Sequence, residues 1–164
     1  LEWIVPGGKF VQESIFNGVK NLEGKISDDD IVIIHDGVRP LVDDDVLSDV
    51  ISVANKYGNG VTSLPYNEQI FLVDDDISTI KYIPRETLRR VSTPQAYHFR
   101  DLFDSYKTAF REEIGIYGSS YTNTMYADLG KRLYFAKGSD KNIKLTTPDD
   151  IKIFTGYLRA KEEN

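Results

Sequence analysis

Between Ile31 and Leu64 the chain alternates in a way that few folds accept: a β-branched run, an amphipathic stretch, then a second apolar run. Ile31 to Ile34 is apolar at every position, the pattern of a strand covered on both faces. The following "VDDDVLSDVISVANKYG" sets Val46, Leu47, Val50, Ile51 and Val53 or Ala54 on one helical stripe. Acids fill its first turn and Gly58 is placed to cap its end. Val61 to Leu64 supplies the next strand. Strand, crossover helix and strand predict a parallel sheet flanked by helices, so the fold class is α/β.

The flanking segments extend this pattern. Trp3 to Val5 reads as a strand, "PGGK" as a turn, and Glu13 to Leu22 as a helix with Ile15, Phe16, Val19 and Leu22 inward. Two alternating runs around "DDD", Ile70 to Val73 and Ile77 to Ile83, predict a β-hairpin. Phe99 to Phe110 and Thr122 to Gly130 read as helices and Leu133 to Ala136 as a strand. "NIKLTTPDDIKIFTGYLRAKE" predicts a strand, a turn and a helix, with Thr147 at the N-cap, Pro148 at N1 and Asp150 at N3. No linker or repeat divides the 164 residues, so a single domain spans 1–164. The hairpin arm, about 66–92, is apolar and too thin to bury itself, which predicts a homodimer formed through it.

Composition removes several chemistries. With no cysteine and only His35 and His98, the chain has no disulfide, no thiol nucleophile and no zinc-thiolate site. A net charge of −6 argues against nucleic acid as a partner. No apolar run approaches the ~18–20 residues of a membrane span, so a membrane is not expected and the default location is cytoplasmic. An acidic chain that handles anions must gather its cations locally, which makes the place of each Arg and Lys informative.

Four stretches could carry chemistry. In "IVIIHDGVRP" a strand ends in Asp36, Gly37 and Arg39, where open α/β sheets bind ligands. Asp36 could hold Mg²⁺ and Arg39 could fork onto a phosphate; a plain strand-end turn explains the pattern equally well. In "PGGKFVQES", Gly7 and Gly8 allow left-handed backbone and converging N–H groups before a helix that carries Ser14, though an ordinary turn is the commoner meaning. In "STPQAY", Pro94 forms a rigid corner that could present the Thr93 hydroxyl. In "KNIKLTTPDD", Lys144 alternates with Ile143 and Leu145; either an anion compensates it or it stands in water on an edge strand.

Taken together, "PGGKFVQES", "VIIHDGVRP", "PRETL", "TPQAY" and "NIKLTTPDDI" resemble the cytidylyltransferases that make CDP-alditols, acting on 2-C-methyl-D-erythritol 4-phosphate or ribitol 5-phosphate. The resemblance covers nearly the whole chain. It implies a Rossmann-like nucleotidyltransferase three-layer sandwich with a protruding β-arm, in which CTP and a polyol phosphate react at Mg²⁺ and release pyrophosphate. By the same resemblance Asp36 matches the metal aspartate, and Arg39 and Lys144 match catalytic cations. Gly7, Gly8, Ser14 and Gly37 fall on the nucleotide side. Arg85, Thr93 and Thr122 fall on the substrate side, with Arg85 reaching a neighbouring subunit.

The departures are as specific. The family's glycine-rich loop with its arginine, and the Pro-Lys-Gln segment after it, have no counterpart. Lys9, Val11, Asn67, Glu68, Gln69 and Asn123 replace other familiar residues, which favours ribitol 5-phosphate modestly. A non-catalytic dimerisation or regulatory module of the same fold is the rival reading. A metal-dependent glycosyltransferase ranks lower, because "HDG" offers a single acid. The strand-like start leads us to expect an N-terminally truncated chain. Residues 1–164 are therefore expected to transfer no nucleotide by themselves; pyrophosphate release from CTP and any alditol phosphate would overturn this.

Overall fold

The computed structural model describes residues 1–118 and 121–162. Its elements follow in the order α1 (Val11–Asn21), β1 (Ile31–Ile34), α2 (Asp44–Tyr57), β2 (Asn59–Pro65), β3 (Ile70–Leu72), β4 (Lys81–Ile83), β5 (Arg89–His98), α3 (Phe99–Glu112), α4 (Thr122–Asp128), β6 (Phe135–Lys137) and α5 (Pro148–Glu162). β1, α2 and β2 form the expected strand–helix–strand unit, but β5 lies between the two strands. The order is β1-β5-β2-β6, with β5 antiparallel to both neighbours and β6 parallel to β2. The sheet is therefore mixed rather than parallel. β2 runs out into the arm and β5 returns from it, so the two pair as a wide hairpin.

β5 is the strand that the sequence hides. Pro94 sits inside it and has no N–H to donate, so the ladder cannot pass through that residue. Val61 pairs with Gln95 and Ser63 with Val91, which leaves Ser92, Thr93 and Pro94 bulged opposite Thr62. The buried Thr62 hydroxyl donates to the Ser92 carbonyl at 3.0 Å across the gap. "STPQAY" is thus a bulged strand rather than a corner; its Thr93–Pro94 peptide is cis.

Alternation along β5 divides the core. Tyr97 packs with Phe16, Val19, Leu102, Phe103, Tyr106 and Tyr126 from α1, α3 and α4. Ala96 turns to the other face and meets Val50, Ala54 and Ala136 under α2. Helices on both sides of one sheet make three layers. α2 ends as expected at Gly58, whose φ of 97° caps the helix in the left-handed region. Against α2 the sheet approaches so closely that a Cβ on Gly60 would lie 2.5 Å from the Val50 carbonyl oxygen.

Several expected elements differ. Trp3 to Val5 forms no strand: no described strand pairs with it, and Ile4 is 86% exposed. Asn142 to Thr146 is irregular, and the strand expected at Leu133 to Ala136 is shifted to Phe135–Lys137. β1 is only partly covered, so its all-apolar run does not mark full burial here. The arm is a separate two-stranded ribbon, Ile70 opposite Ile83 and Leu72 opposite Lys81, with Phe71, Val73, Ile77 and Ile80 exposed. Among the described residues no helix is long and apolar enough to cross a membrane.

Gly60→Ala forces a methyl group into the backbone of α2, where nothing can swing aside. We expect a loss of about 1–3 kcal/mol in unfolding free energy, measured by denaturant titration.

Candidate functional site

At the end of β1 the ladder gives way to side chains. The Asp36 N–H donates to the Thr93 hydroxyl at 3.0 Å, so the bulge supplies the acceptor that a continuing strand would have offered. A turn follows, closed by the Arg39 N–H on the Asp36 carbonyl at 2.9 Å, while a His35 ring nitrogen lies 2.9 Å from the Arg39 carbonyl oxygen. Gly37 lies exposed in this turn, and a Cβ there would meet nothing within 4 Å. The irregular segment before α5 then crosses the turn, held by the Leu145 N–H on the Val38 carbonyl at 2.8 Å.

That crossing brings the charges together. Asp36 Oδ2 lies 3.0 Å from Arg39 Nε and 3.4 Å from Lys144 Nζ. Arg39 is the more fixed cation: its side chain is 16% exposed, and its terminal NH1 donates to the Asn142 carbonyl at 2.7 Å. Lys144 projects from a loop and not from a strand, and Asp36 is the anion that compensates it.

Asn142 was missed in the sequence. It is buried, its backbone oxygen holds Arg39, and its amide Nδ2 donates to the Thr93 carbonyl at 2.7 Å. Among the described residues its Oδ1 is the buried side-chain atom left without a partner. Such an atom is costly, and here the amide is oriented by Thr93 instead. No local signal marks this role; it exists only once β5 and the loop meet.

The expected residues thus divide. Asp36, Arg39, Thr93 and Lys144 converge with Gly37 beside them. Gly7, Gly8 and Ser14 form a separate cluster at the start of α1. Neither glycine adopts a positive φ, contrary to expectation. A Cβ on Gly8 would fall 2.4 Å from the Glu13 side chain, so close approach rather than backbone conformation explains that glycine. The loop's N–H groups are already engaged: Gly8 donates to the Ser14 hydroxyl at 2.9 Å and Lys9 to the Glu13 carboxylate at 2.6 Å. Thr122 is buried, its hydroxyl 2.7 Å from the Tyr106 hydroxyl, in a network with Gln12. Burial pushes the Tyr106 phenol well above its ordinary range, so this network is neutral core. Arg85 sits on the arm, donating to the Asn67 carbonyl at 3.3 Å with Glu86 3.7 Å away.

Mg²⁺ fits one feature of the cluster. Among the described residues no three acids or histidines gather as a metal site. Both cations fall on Oδ2 of Asp36, which leaves Oδ1 for a hard cation. One carboxylate completed by substrate phosphates suits Mg²⁺ and not Zn²⁺.

Beside the cluster runs a groove of about 300 Å³ lined by Arg39, Arg90, Ser92, Asn142, Lys144 and Asp150 among others. Asp150 fixes its floor. The Thr146 and Thr147 N–H groups reach Asp150 Oδ2 at 2.9 and 2.7 Å, and the Asp150 N–H donates back to the Thr147 hydroxyl at 3.3 Å. This is the reciprocal N-cap that the sequence promised. The Thr146 N–H, then that of Thr147, hold the Asp150 carboxyl down at about 2 from an ordinary 3.8.

Comparison with known proteins places this geometry. The family model for 2-C-methyl-D-erythritol 4-phosphate cytidylyltransferase matches residues 2–160. A ribitol-5-phosphate cytidylyltransferase of Lacticaseibacillus paracasei is 60% identical over 99% of this chain and 69% of its own length. A 2-C-methyl-D-erythritol 4-phosphate cytidylyltransferase of Syntrophus aciditrophicus is 35% identical over 99% of this chain and 67% of its own. The solved 2-C-methyl-D-erythritol 4-phosphate cytidylyltransferase of Thermus thermophilus superposes with a TM-score of 0.79 at 24% identity, covering 94% of this chain and 72% of the other. The solved 4-diphosphocytidyl-2C-methyl-D-erythritol synthase of Anaerococcus prevotii gives 0.81 at 23% identity, covering 93% and 68%. These last two likenesses speak for the three-layer fold alone.

A lowered carboxyl pKa contributes stability that is complete above the ordinary value and lost as pH falls through the folded one. The start of α5 should therefore hold at pH 4 and loosen only toward pH 2. An NMR titration of Asp150 with a midpoint near 3.8 would contradict this.

Proposed function

The chain belongs to the 2-C-methyl-D-erythritol 4-phosphate cytidylyltransferase family, and from that premise we propose that its reaction is CMP transfer from CTP to a polyol phosphate, with ribitol 5-phosphate as the acceptor. The observation that carries the chemistry is the Asp36 carboxylate shared by Arg39 and Lys144 at 3.0 and 3.4 Å. The 60% identity with the Lacticaseibacillus ribitol-5-phosphate cytidylyltransferase supports the choice of acceptor.

An oxygen of the acceptor's phosphate attacks the α-phosphorus of CTP. A new P–O bond forms, the bond from the α-phosphorus to the bridging oxygen breaks, and pyrophosphate leaves. Two anions must be brought into contact, so positioning and charge compensation supply most of the rate. Arg39 suits this task because its Nε and one terminal nitrogen are anchored by Asp36 and Asn142, leaving the other terminal nitrogen to meet a phosphate without reorganising. Lys144, partly exposed and on a loop, can shift toward charge as it develops. Asp36 would hold Mg²⁺ through Oδ1, and the ion, when bound, neutralises phosphate charge.

We further propose a homodimer through the arm, since the exposed Phe71, Val73, Ile77 and Ile80 want cover that a two-stranded ribbon cannot give itself. Arg85 would then serve the partner's acceptor. A cytoplasmic location follows from the need for CTP.

The test is pyrophosphate release from CTP against a panel of alditol phosphates, by the protein in its full length. Ribitol 5-phosphate should be the best acceptor. Arg39→Lys and Lys144→Ala should each lower kcat/KM by about 10²–10³-fold. Turnover unchanged in both variants would remove Arg39 and Lys144 from the chemistry, and no pyrophosphate release with any alditol phosphate would favour a non-catalytic module.

A further inference from the structure

The groove beside Asp36 contains a cation to which the reaction above gives no part. Arg90 stands in the first half of β5, just before the bulge, and lines the groove together with Arg39, Asn142, Lys144 and Asp150. Arg85, the arm cation singled out from the sequence, lines a different hollow with Gln69, Phe71 and Tyr82. Of these two arginines, Arg90 is the one on the groove wall.

Its partner is Asp140, to which a terminal guanidinium nitrogen donates. The two side chains are 55% and 76% exposed, so water screens the pair and parting it costs little. The other carboxylates nearby are committed. Asp36 is shared by Arg39 and Lys144, and Asp150 is bound to the amides of Thr146 and Thr147. Among the described contacts, the Asp140 side chain is held by Arg90 alone. Counting Asp36 beside the groove, the three cations Arg39, Arg90 and Lys144 face three acids, Asp36, Asp140 and Asp150, so the charges balance with Asp140 in place. If it swings into solvent, the groove becomes net positive.

We propose that Arg90 is a phosphate-binding residue of this groove, exchanging its contact with Asp140 for the phosphate of an arriving substrate. The proposal rests on the cytidylyltransferase reading for the identity of that substrate, either the acceptor or CTP. A phosphate dianion displaces a solvated carboxylate readily: it carries more charge, and its oxygens match the planar fork of the guanidinium. Arg39 and Lys144 on the same groove add to the attraction.

Calorimetric titration of the 164-residue chain with ribitol 5-phosphate, CTP and inorganic phosphate, in separate arms, tests this. Arg90→Ala should weaken binding in at least one arm by about tenfold, the size of a lost ionic hydrogen bond. Arg90→Lys should recover part of that loss. Asp140→Asn should tighten the same arm, and do so less in an Arg90→Ala background. A change for ribitol 5-phosphate assigns Arg90 to the acceptor, and a change for CTP assigns it to the triphosphate. Affinity unchanged by Arg90→Ala in every arm, weakening by Asp140→Asn, or no binding of any of the three ligands by the unaltered chain overturns the proposal. Arg90-dependent binding without pyrophosphate release in the acceptor panel would sink the reaction assigned above and leave this site standing. Turnover with Arg90-independent binding would sink this site alone.

Discussion

Pro94 has no amide hydrogen, and β5 therefore cannot keep its ladder with β2 between Val91 and Gln95. The strand bulges there, and the bulge sets the geometry of the site. It turns the Thr93 hydroxyl toward the Asp36 N–H and the Thr93 carbonyl toward the Asn142 amide. One interruption in the central antiparallel strand thus anchors both loops of the site, the turn after β1 and the segment before α5. Regular pairing would have spent the Thr93 carbonyl on the sheet.

The second constraint is electrostatic. A chain of net charge −6 repels anions on the whole, so the cluster must act at short range. Asp36 gathers Arg39 and Lys144 at one oxygen. The two cations differ in freedom. Arg39 is pinned at both ends of its guanidinium, whereas Lys144 sits on a loop with a third or more of its side chain in water. In the proposed transfer, a fixed cation and a mobile one would suit charge that changes place between ground state and transition state.

How far the sequence could be read depended on whether the signal was local. α2 carried its own stripe, acids and glycine cap, and formed as expected. The start of α5 did so through Thr147, Pro148 and Asp150. Trp3 to Val5 was an apolar run and Asn142 to Thr146 alternated like a strand, but neither pattern makes a strand without a pairing partner. β5 failed the other way, since Pro94 disguised a strand whose partners lie far off in sequence. The convergence of Asp36, Arg39, Thr93 and Lys144 was legible only through the family likeness, because spacing cannot say that residue 144 crosses residue 36. Asn142 escaped even that, since its work is done by a backbone oxygen and a buried amide.

The backbone bond from Leu145 to the Val38 carbonyl has a practical meaning. It is the clasp between the two loops, and Lys144 is the residue next to it. Whenever the clasp opens, the Leu145 amide trades its hydrogen for solvent deuterium, and Lys144 is then free of its place over Asp36. Protection at that one amide would therefore time the assembly of the charged cluster, with no substrate needed to see it.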